Sequence, residues 1–303
     1  MDLLIGFTTI LVVIAAGIGL AHVGVLDARS QRTLGEIAFF VASPALMVVT
    51  ISKVHLETAT KNLVASSISL AVCFVLYVVL ARLRWRLAGG PLLIGALTSS
   101  YVNAGNLGLA VAAYVVGDIT VVVPALLVQM MVVQPAALVM LDRITGRGEG
   151  FGKAARRLVT NPLTVAAVIG VVLALTGWPL PEVAQAPLEL MAGAAIPMML
   201  MSYGAALRLS PALGKAGHNG EVLLATVLKL AVMPVVAWAV GVALGLEGTV
   251  LLGVVVTAAL PTAQNIFLHA TRYRVGEDVA RETILITTLA SLPVVLLIAV
   301  LLG

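Results

Sequence analysis

The sequence has little charge. Only 11% of its 303 residues are Asp, Glu, Lys or Arg, where a soluble domain carries about a quarter. No polar stretch is long enough to fold as a soluble domain. There is one cysteine, Cys73, so no intrachain disulfide can form, and its apolar surroundings suit a buried small hydrophobe. His22, His55, His218 and His269 fall near the ends of apolar runs, without a partnered nucleophile. The chain has no zinc-ligand pair, no DDxxD, no GxSxG and no pair of Asp residues inside an apolar run. An enzyme, a metal centre and a bound cofactor are therefore not expected. An exchanger that relies on paired intramembrane Asp residues is not expected either.

What remains is apolar. Hydrophobic residues make up 61% of the chain, and the mean hydropathy is +1.11. This composition predicts an all-α polytopic membrane protein. The N-terminal Met1-Asp2-Leu3-Leu4 lacks a basic leader region, so the first apolar run reads as a retained helix. About 20 apolar residues cross a bilayer, and ten runs qualify: Leu3–Val25, Thr33–Ser52, Asn62–Leu83, Leu92–Val116, Thr120–Leu141, Asn161–Thr176, Pro187–Leu207, Glu221–Leu244, Thr249–Ala270 and Val279–Leu302. Of 18 basic residues, 15 lie in the odd-numbered loops and two, Lys53 and Lys61, in the even-numbered ones. Under the positive-inside rule the odd loops are cytoplasmic and both termini lie outside a cell (inner) membrane. The net charge of +4 thus reports topology rather than a nucleic-acid partner.

The basic segment 142–160 divides the chain into five-helix sets, 1–141 and 161–303. Five is odd, so the second set enters from the opposite side, and a repeat must be an inverted one. Ala42-Ser43-Pro44 in the second run echoes Ala195-Ile196-Pro197 in the seventh, and Pro135 in the fifth echoes Pro293 in the tenth. The fourth run is interrupted by Asn103-Ala104-Gly105-Asn106-Leu107-Gly108, and the ninth by Pro261-Thr262-Ala263-Gln264-Asn265. Gly costs roughly 1 kcal/mol of helix propensity, and an uncovered amide in hydrocarbon costs several. Two such breaks at corresponding places point to a transporter's binding site. By helical rise the fourth-run break lies roughly 17–24 Å deep, and the ninth-run break matches it. Each break exposes a half-helix N-terminus, suited to an anion. The candidate binding residues are Asn103, Gly105, Asn106, Gly108, Pro261, Thr262, Gln264 and Asn265. Packing glue between two kinked helices is the alternative account.

Lys229 is the only charged residue deep in a run, so a cavity or partner should face it. It reads as a fixed cation beneath the crossing, where an ion would otherwise couple, or as a Lys that snorkels to the cytoplasmic face or caps backbone carbonyls. Gln129, Thr287 and Thr288 lie at a depth from which they could support the crossing, although interhelical packing explains each singly. Gln134 precedes Pro135 and can satisfy the carbonyls that Pro frees. Ser43, Pro44, Pro197 and Ser202 are candidates for the opposite cavity wall.

Ten runs, a five-plus-five repeat, a central basic loop and the Asn103–Gly108 and Pro261–Asn265 motifs resemble the auxin efflux carrier family over nearly the whole chain. The resemblance implies a fold related to bile-acid sodium symporters, with crossing broken helices 4 and 9. It also implies a dimerising scaffold of helices 1, 2, 6 and 7 and a moving bundle of helices 3–5 and 8–10. In plant members crossing-region Asn residues bind a carboxylate, a role that would fall here to Asn103 or Asn106 and to Asn265. Two departures stand out. The fourth-helix break has Gly rather than Pro, and the third run offers no match for the plant members' acidic residue.

The expected function is secondary transport of small organic carboxylate anions by an elevator-type mechanism, in a homodimer within membrane lipid. A sodium-coupled symporter of the bile-acid type and a non-transporting ligand sensor are the alternatives.

Overall fold

The computed structural model describes residues 2–53, 56–146, 156, 160–209 and 217–303. The expected linker 142–160 lies mostly outside this set. Among the described residues the protein is all-helical, apart from one isolated β-bridge. We label the helices α1 (Asp2–His22), α2 (Ala28–Ile51), α3 (Leu56–Trp85), α4 (Gly89–Ser100), α5 (104–116), α6 (Ile119–Thr145), α7 (Pro162–Thr176), α8 (Glu182–Leu209), α9 (Asn219–Ala243), α10 (Gly248–Ala258), α11 (Asn265–Tyr273) and α12 (Glu277–Leu302).

Local sequence sets these boundaries. Asp27 caps α2 in a reciprocal box with Ser30, whose N–H donates to the Asp27 carboxylate at 2.7 Å. Asn161 accepts the Leu163 N–H at 3.0 Å, and Pro162 occupies the first turn of α7, where its missing N–H costs nothing. Gly177 ends α7 at φ +66°, in the left-handed conformation that glycine adopts without a Cβ penalty.

Among the described residues, six helices are long and apolar enough to cross a membrane by themselves: Ala28–Ile51, Ala59–Trp85, Ile119–Thr145, Glu182–Leu209, Asn219–Ala243 and Glu277–Leu302. This is a multi-pass membrane protein. The sequence predicts ten spans. The fourth and ninth runs are split into α4/α5 and α10/α11, and α7 has only 15 residues, so these do not form single long helices.

Three of the long helices contain a widened turn, and each lies just before a proline. Ala38–Ala42 precedes Pro44, Gln129–Val133 precedes Pro135, and Leu228–Val232 precedes Pro234. In each, a backbone N–H bonds the carbonyl five residues back: Ser43 to Ala38, Gln134 to Gln129, Met233 to Leu228. A proline ring clashes with the carbonyl four residues before it and offers no N–H. Inserting one residue into the turn relieves both problems. The widened turns in α6 and α9 contain Gln129 and Lys229. Pro197 and Pro293 lie inside continuous helices.

The chain forms two compact units. The first comprises Met1–Ala59, Gly105–Val123 and Val159–Ala212. In it α1 lies directly against α8. A Cβ on Gly204 would stand 2.1 Å from the Ile14 carbonyl oxygen, and one on Gly17 would stand 2.2 Å from that of Met201. The two glycines let the backbones touch. The second unit comprises Thr60–Ala104, Pro124–Leu158 and Leu213–Gly303. A cluster including Leu97, Tyr101, Leu138, Leu141, Ile266 and Tyr273 forms part of its core. There the Tyr273 hydroxyl donates to the buried Asp142 carboxylate at 2.6 Å.

Candidate functional site

The interrupted helices meet inside the second unit. α4 ends at Ser100 and α10 at Ala258, and α11 begins at Asn265. Between these ends the chain is unwound, and the two unwound segments pair as a short antiparallel ladder centred on Val102 and Thr262. The Asn103 N–H donates to the Pro261 carbonyl at 2.8 Å, and the Ala263 N–H donates to the Tyr101 carbonyl at 3.2 Å. Unwound backbone is tolerated at membrane depth only where protein groups satisfy it, and here side chains from neighbouring helices do so.

Gln129 holds both backbone groups of Val102. Its Oε1 accepts the Val102 N–H at 2.6 Å, and its Nε2 donates to the Val102 carbonyl at 3.2 Å. On the other strand the Thr262 N–H donates to Thr287 Oγ1 at 3.1 Å, and the Thr262 hydroxyl donates to the Thr98 carbonyl at 2.6 Å. Lys229 is fully buried. Its Nζ donates to the Ala258 carbonyl at 2.6 Å, at the C-terminal end of α10, and lies 3.3 Å from Met233 Sδ. A cation at a helix C-terminus meets the negative end of the helix dipole. The ammonium thus caps a backbone carbonyl where α10 breaks off. Thr288 is buried, and its carbonyl accepts the Ser291 hydroxyl at 3.2 Å, so Thr287 is the residue that reaches the ladder.

A small cavity lies beside the ladder, lined by Ser66, Ser69, Val102, Gln129, Met233 and Thr257. The third helix contributes only neutral groups here. Ser66 Oγ donates to Asn62 Oδ1 at 3.0 Å, and Ser69 Oγ donates to the Ser66 carbonyl at 3.0 Å.

Against this well-paired background two buried amide atoms lack a partner: Nδ2 of Asn103, which is 3% exposed, and Oδ1 of Asn265. A buried polar atom without a partner costs about 1–3 kcal/mol. Two of them at one crossing mark where a ligand's polar groups would be met. Gln264 and Asn265 are half-buried, whereas Thr262 is fully buried and committed to the ladder.

The other expected residues fall elsewhere. Gly105 and Gly108 belong to the first unit, in the widened turn that opens α5. Gly108 has ordinary helical angles, φ −62° and ψ −44°. The side chain of Asn106 lies outside the described residues. Ser43 donates to Met199 Sδ at 3.5 Å, and Ser202 pairs with Gln31, so both are engaged where α2 meets α8. Pro44 and Pro197 lie on those same two helices.

Sequence reasoning passed over Thr98 and Tyr101. The Tyr101 hydroxyl donates to Gln134 Oε1 at 3.3 Å and faces the Asn265 side chain. A tyrosine amid the serines and asparagines of residues 99–106 was the available signal. Among the described residues no group of three His, Cys, Asp or Glu side chains could hold a metal ion.

Paired helix interruptions, braced by side chains inside an apolar multi-pass protein, define a membrane carrier. A family model described as "Membrane transport protein" matches residues 4–299. The chain belongs to this family, that of the auxin efflux carriers. It is 28% identical over 152 residues to "Auxin efflux carrier component 4" of Arabidopsis thaliana, covering 49% of this chain and 24% of that protein. Over the same length it is 30% identical to "Auxin efflux carrier component 3a" of Oryza sativa subsp. japonica. The chain thus spans about a quarter of these plant relatives' length. It is 27% identical over 297 residues to a "Putative malonate transporter" of Rhizobium meliloti (strain 1021), covering 91% of each. The family and these relatives are transporters rather than enzymes.

Proposed function

We propose that the protein is a secondary transporter of small organic carboxylate anions, with the anion held by Asn103 and Asn265 beside the ladder. The observation that carries this reading is the unpartnered Asn103 Nδ2, a donor buried at an otherwise satisfied crossing, near which Asn265 Oδ1 offers an acceptor to a protonated group of the ligand. An amide donates to a carboxylate without requiring a countercharge. The partial positive charge at the N-terminus of α11 favours an anion at the same place. A relative named for malonate, aligned along nearly its whole length, agrees with a small-acid substrate.

In this reading the second unit is the moving carrier and the first the stationary scaffold. In support, the first unit gathers the first, second, sixth and seventh runs with the second half of the fourth. The halves are inverted repeats: Gln129 and Thr287 hold the backbone N–H groups of Val102 and Thr262 in matching fashion, from positions 158 residues apart. The carrier works as a homodimer, with both termini extracytoplasmic.

The test is flux of radiolabelled malonate and acetate into proteoliposomes. Asn103→Ala and Asn265→Ala are each expected to cut flux more than tenfold while keeping a wild-type gel-filtration profile. Undiminished flux in both variants would overturn the assignment.

A further inference from the structure

We propose that the end of the second unit at which α3 stops is a binding surface for an anionic phospholipid, with an acyl chain along the outer stripe of α3 and the headgroup phosphate among Arg82, Arg86, Arg143 and Arg274.

The stripe sets the level of the headgroup. α3 is the least covered of the six long helices, with 28% of its most apolar stretch buried. Its buried positions Asn62, Ser66, Ser69, Cys73 and Tyr77 recur every three or four residues and form one inward face. The exposed positions Val64, Ile68, Val75, Val79 and Arg82 fall on the opposite face. From Val64 to Arg82 the helix rises roughly 27 Å at 1.5 Å per residue, close to a hydrocarbon core of about 30 Å. A stripe that fills the core therefore sets Arg82 among the headgroups. Trp85 steadies this end of the helix, since a Cβ on Gly220 at the start of α9 would stand 2.7 Å from its ring.

Two further helix ends converge there. Arg86 closes α3 at φ +55°, and the chain turns at once into α4. A Cβ on Gly89 would lie 3.4 Å from Ile144, and one on Gly90 would lie 2.6 Å from Val275. The residues just before those two neighbours are Arg143 and Arg274, so the C-terminal ends of α6 and α11 bring their arginines to the same corner. Arg274 also has φ +55°. Glycine is the usual residue in this conformation at a helix end, and at both caps an exposed cation stands instead.

The charge at this corner is unspent. Arg82, Arg84, Arg86, Arg143 and Arg274 are exposed, and none has an ion pair or hydrogen bond among the described residues. The neighbouring carboxylates are engaged elsewhere. Asp142 accepts the Tyr273 hydroxyl at 2.6 Å, Glu221 pairs with His218 at 3.1 Å, and Asp278 pairs with Arg281 at 3.2 Å. Glu277, half-buried in the first turn of α12, offsets at most one of the five charges. Guanidinium forks match phosphate oxygens. The corner alone would take any phosphate, and the apolar stripe beside it selects one that carries an acyl chain. A basic side chain near an anionic membrane surface strengthens binding about fivefold, so three amount to about a hundredfold.

The experiment measures equilibrium binding of short-chain phosphatidylglycerol, phosphatidylcholine of the same chain length and inorganic phosphate to the purified full-length protein in neutral detergent. Wild type should bind phosphatidylglycerol about a hundredfold more tightly than phosphatidylcholine. The triple variant Arg86→Gln, Arg143→Gln, Arg274→Gln should bind the two lipids alike, and the same three positions changed to Lys should keep most of the preference. Wild type that binds the two lipids alike, or binds neither, overturns the proposal, and so does a preference that survives the triple Gln variant. Inorganic phosphate bound as tightly as phosphatidylglycerol also overturns it, because the stripe would then contribute nothing. Should the triple Gln variant fail to fold, Arg143→Gln alone should lower the preference about fivefold, and an unchanged value overturns the proposal.

Discussion

Replacing Gln129 by Leu removes a single amide and leaves two buried backbone groups of Val102 without partners. Each orphaned group costs about 1–3 kcal/mol, so the pair costs about 2–6 kcal/mol. Leu fills most of the volume, and the apolar packing term is small beside this. Globular proteins of some 150–250 residues lose about 2–4 °C of thermal midpoint per kcal/mol. On that scale the midpoint should fall by roughly 4–24 °C. Gln129→Glu separates shape from chemistry. Its carboxylate keeps an acceptor for the Val102 N–H but sets a second oxygen against the Val102 carbonyl, 3.2 Å from the atom it replaces. Gln129→Glu should therefore lower the midpoint at neutral pH even though it preserves the side chain's shape. Thermal unfolding followed by tryptophan fluorescence tests both variants. A midpoint within 2 °C of wild type for either variant would refute the reasoning.

Lys229→Met should behave differently despite equal burial. It gives up a charge-assisted bond to the Ala258 carbonyl worth about 1.5–3 kcal/mol, and it removes an ammonium whose insertion costs about 2.5–3.5 kcal/mol. The terms nearly cancel, so its midpoint should stay within a few degrees of wild type in the same assay, and a fall as large as that of Gln129→Leu would count against the offset. Gly204→Ala places a Cβ 2.1 Å from the Ile14 carbonyl oxygen, a backbone atom that cannot move aside. It should lower the midpoint more than Gly193→Ala on the same helix, where nothing lies within 4 Å, as paired melts will show.

The sequence makes the positions of the two breaks plain, because Gly, Asn and Pro within apolar runs have few other uses. Lys229 and Gln129 also stand out as polar residues where lipid or protein must surround them. Their partners are not legible. Lys229 meets the Ala258 carbonyl 29 residues on, and Gln129 meets Val102 27 residues back, across helix pairs whose packing no local pattern announces. The sequence offers Gln134 to the carbonyls freed by Pro135. The widened turn absorbs that proline's missing N–H, which leaves the Gln134 side chain available to Tyr101. The sequence places Ser43 and Ser202 near prolines but does not name their partners, Met199 and Gln31. Composition reports that a small hydroxyl lies beside a proline, not which helix faces it.

The order in which the crossing is synthesised gives Gln129 a further importance. Thr262 follows Val102 by 160 residues, which at about 5–20 residues per second is roughly 8–32 s of translation. During that interval the first strand of the ladder has no second strand. Gln129 emerges only 27 residues after Val102, within about 1–5 s, and it alone can cover both of the Val102 backbone groups. The amide that braces the finished crossing is thus also the earliest partner available to its first half. A chain lacking it would enter the bilayer with an open backbone segment, exposed to quality-control proteases, before the residues that complete the crossing had been made.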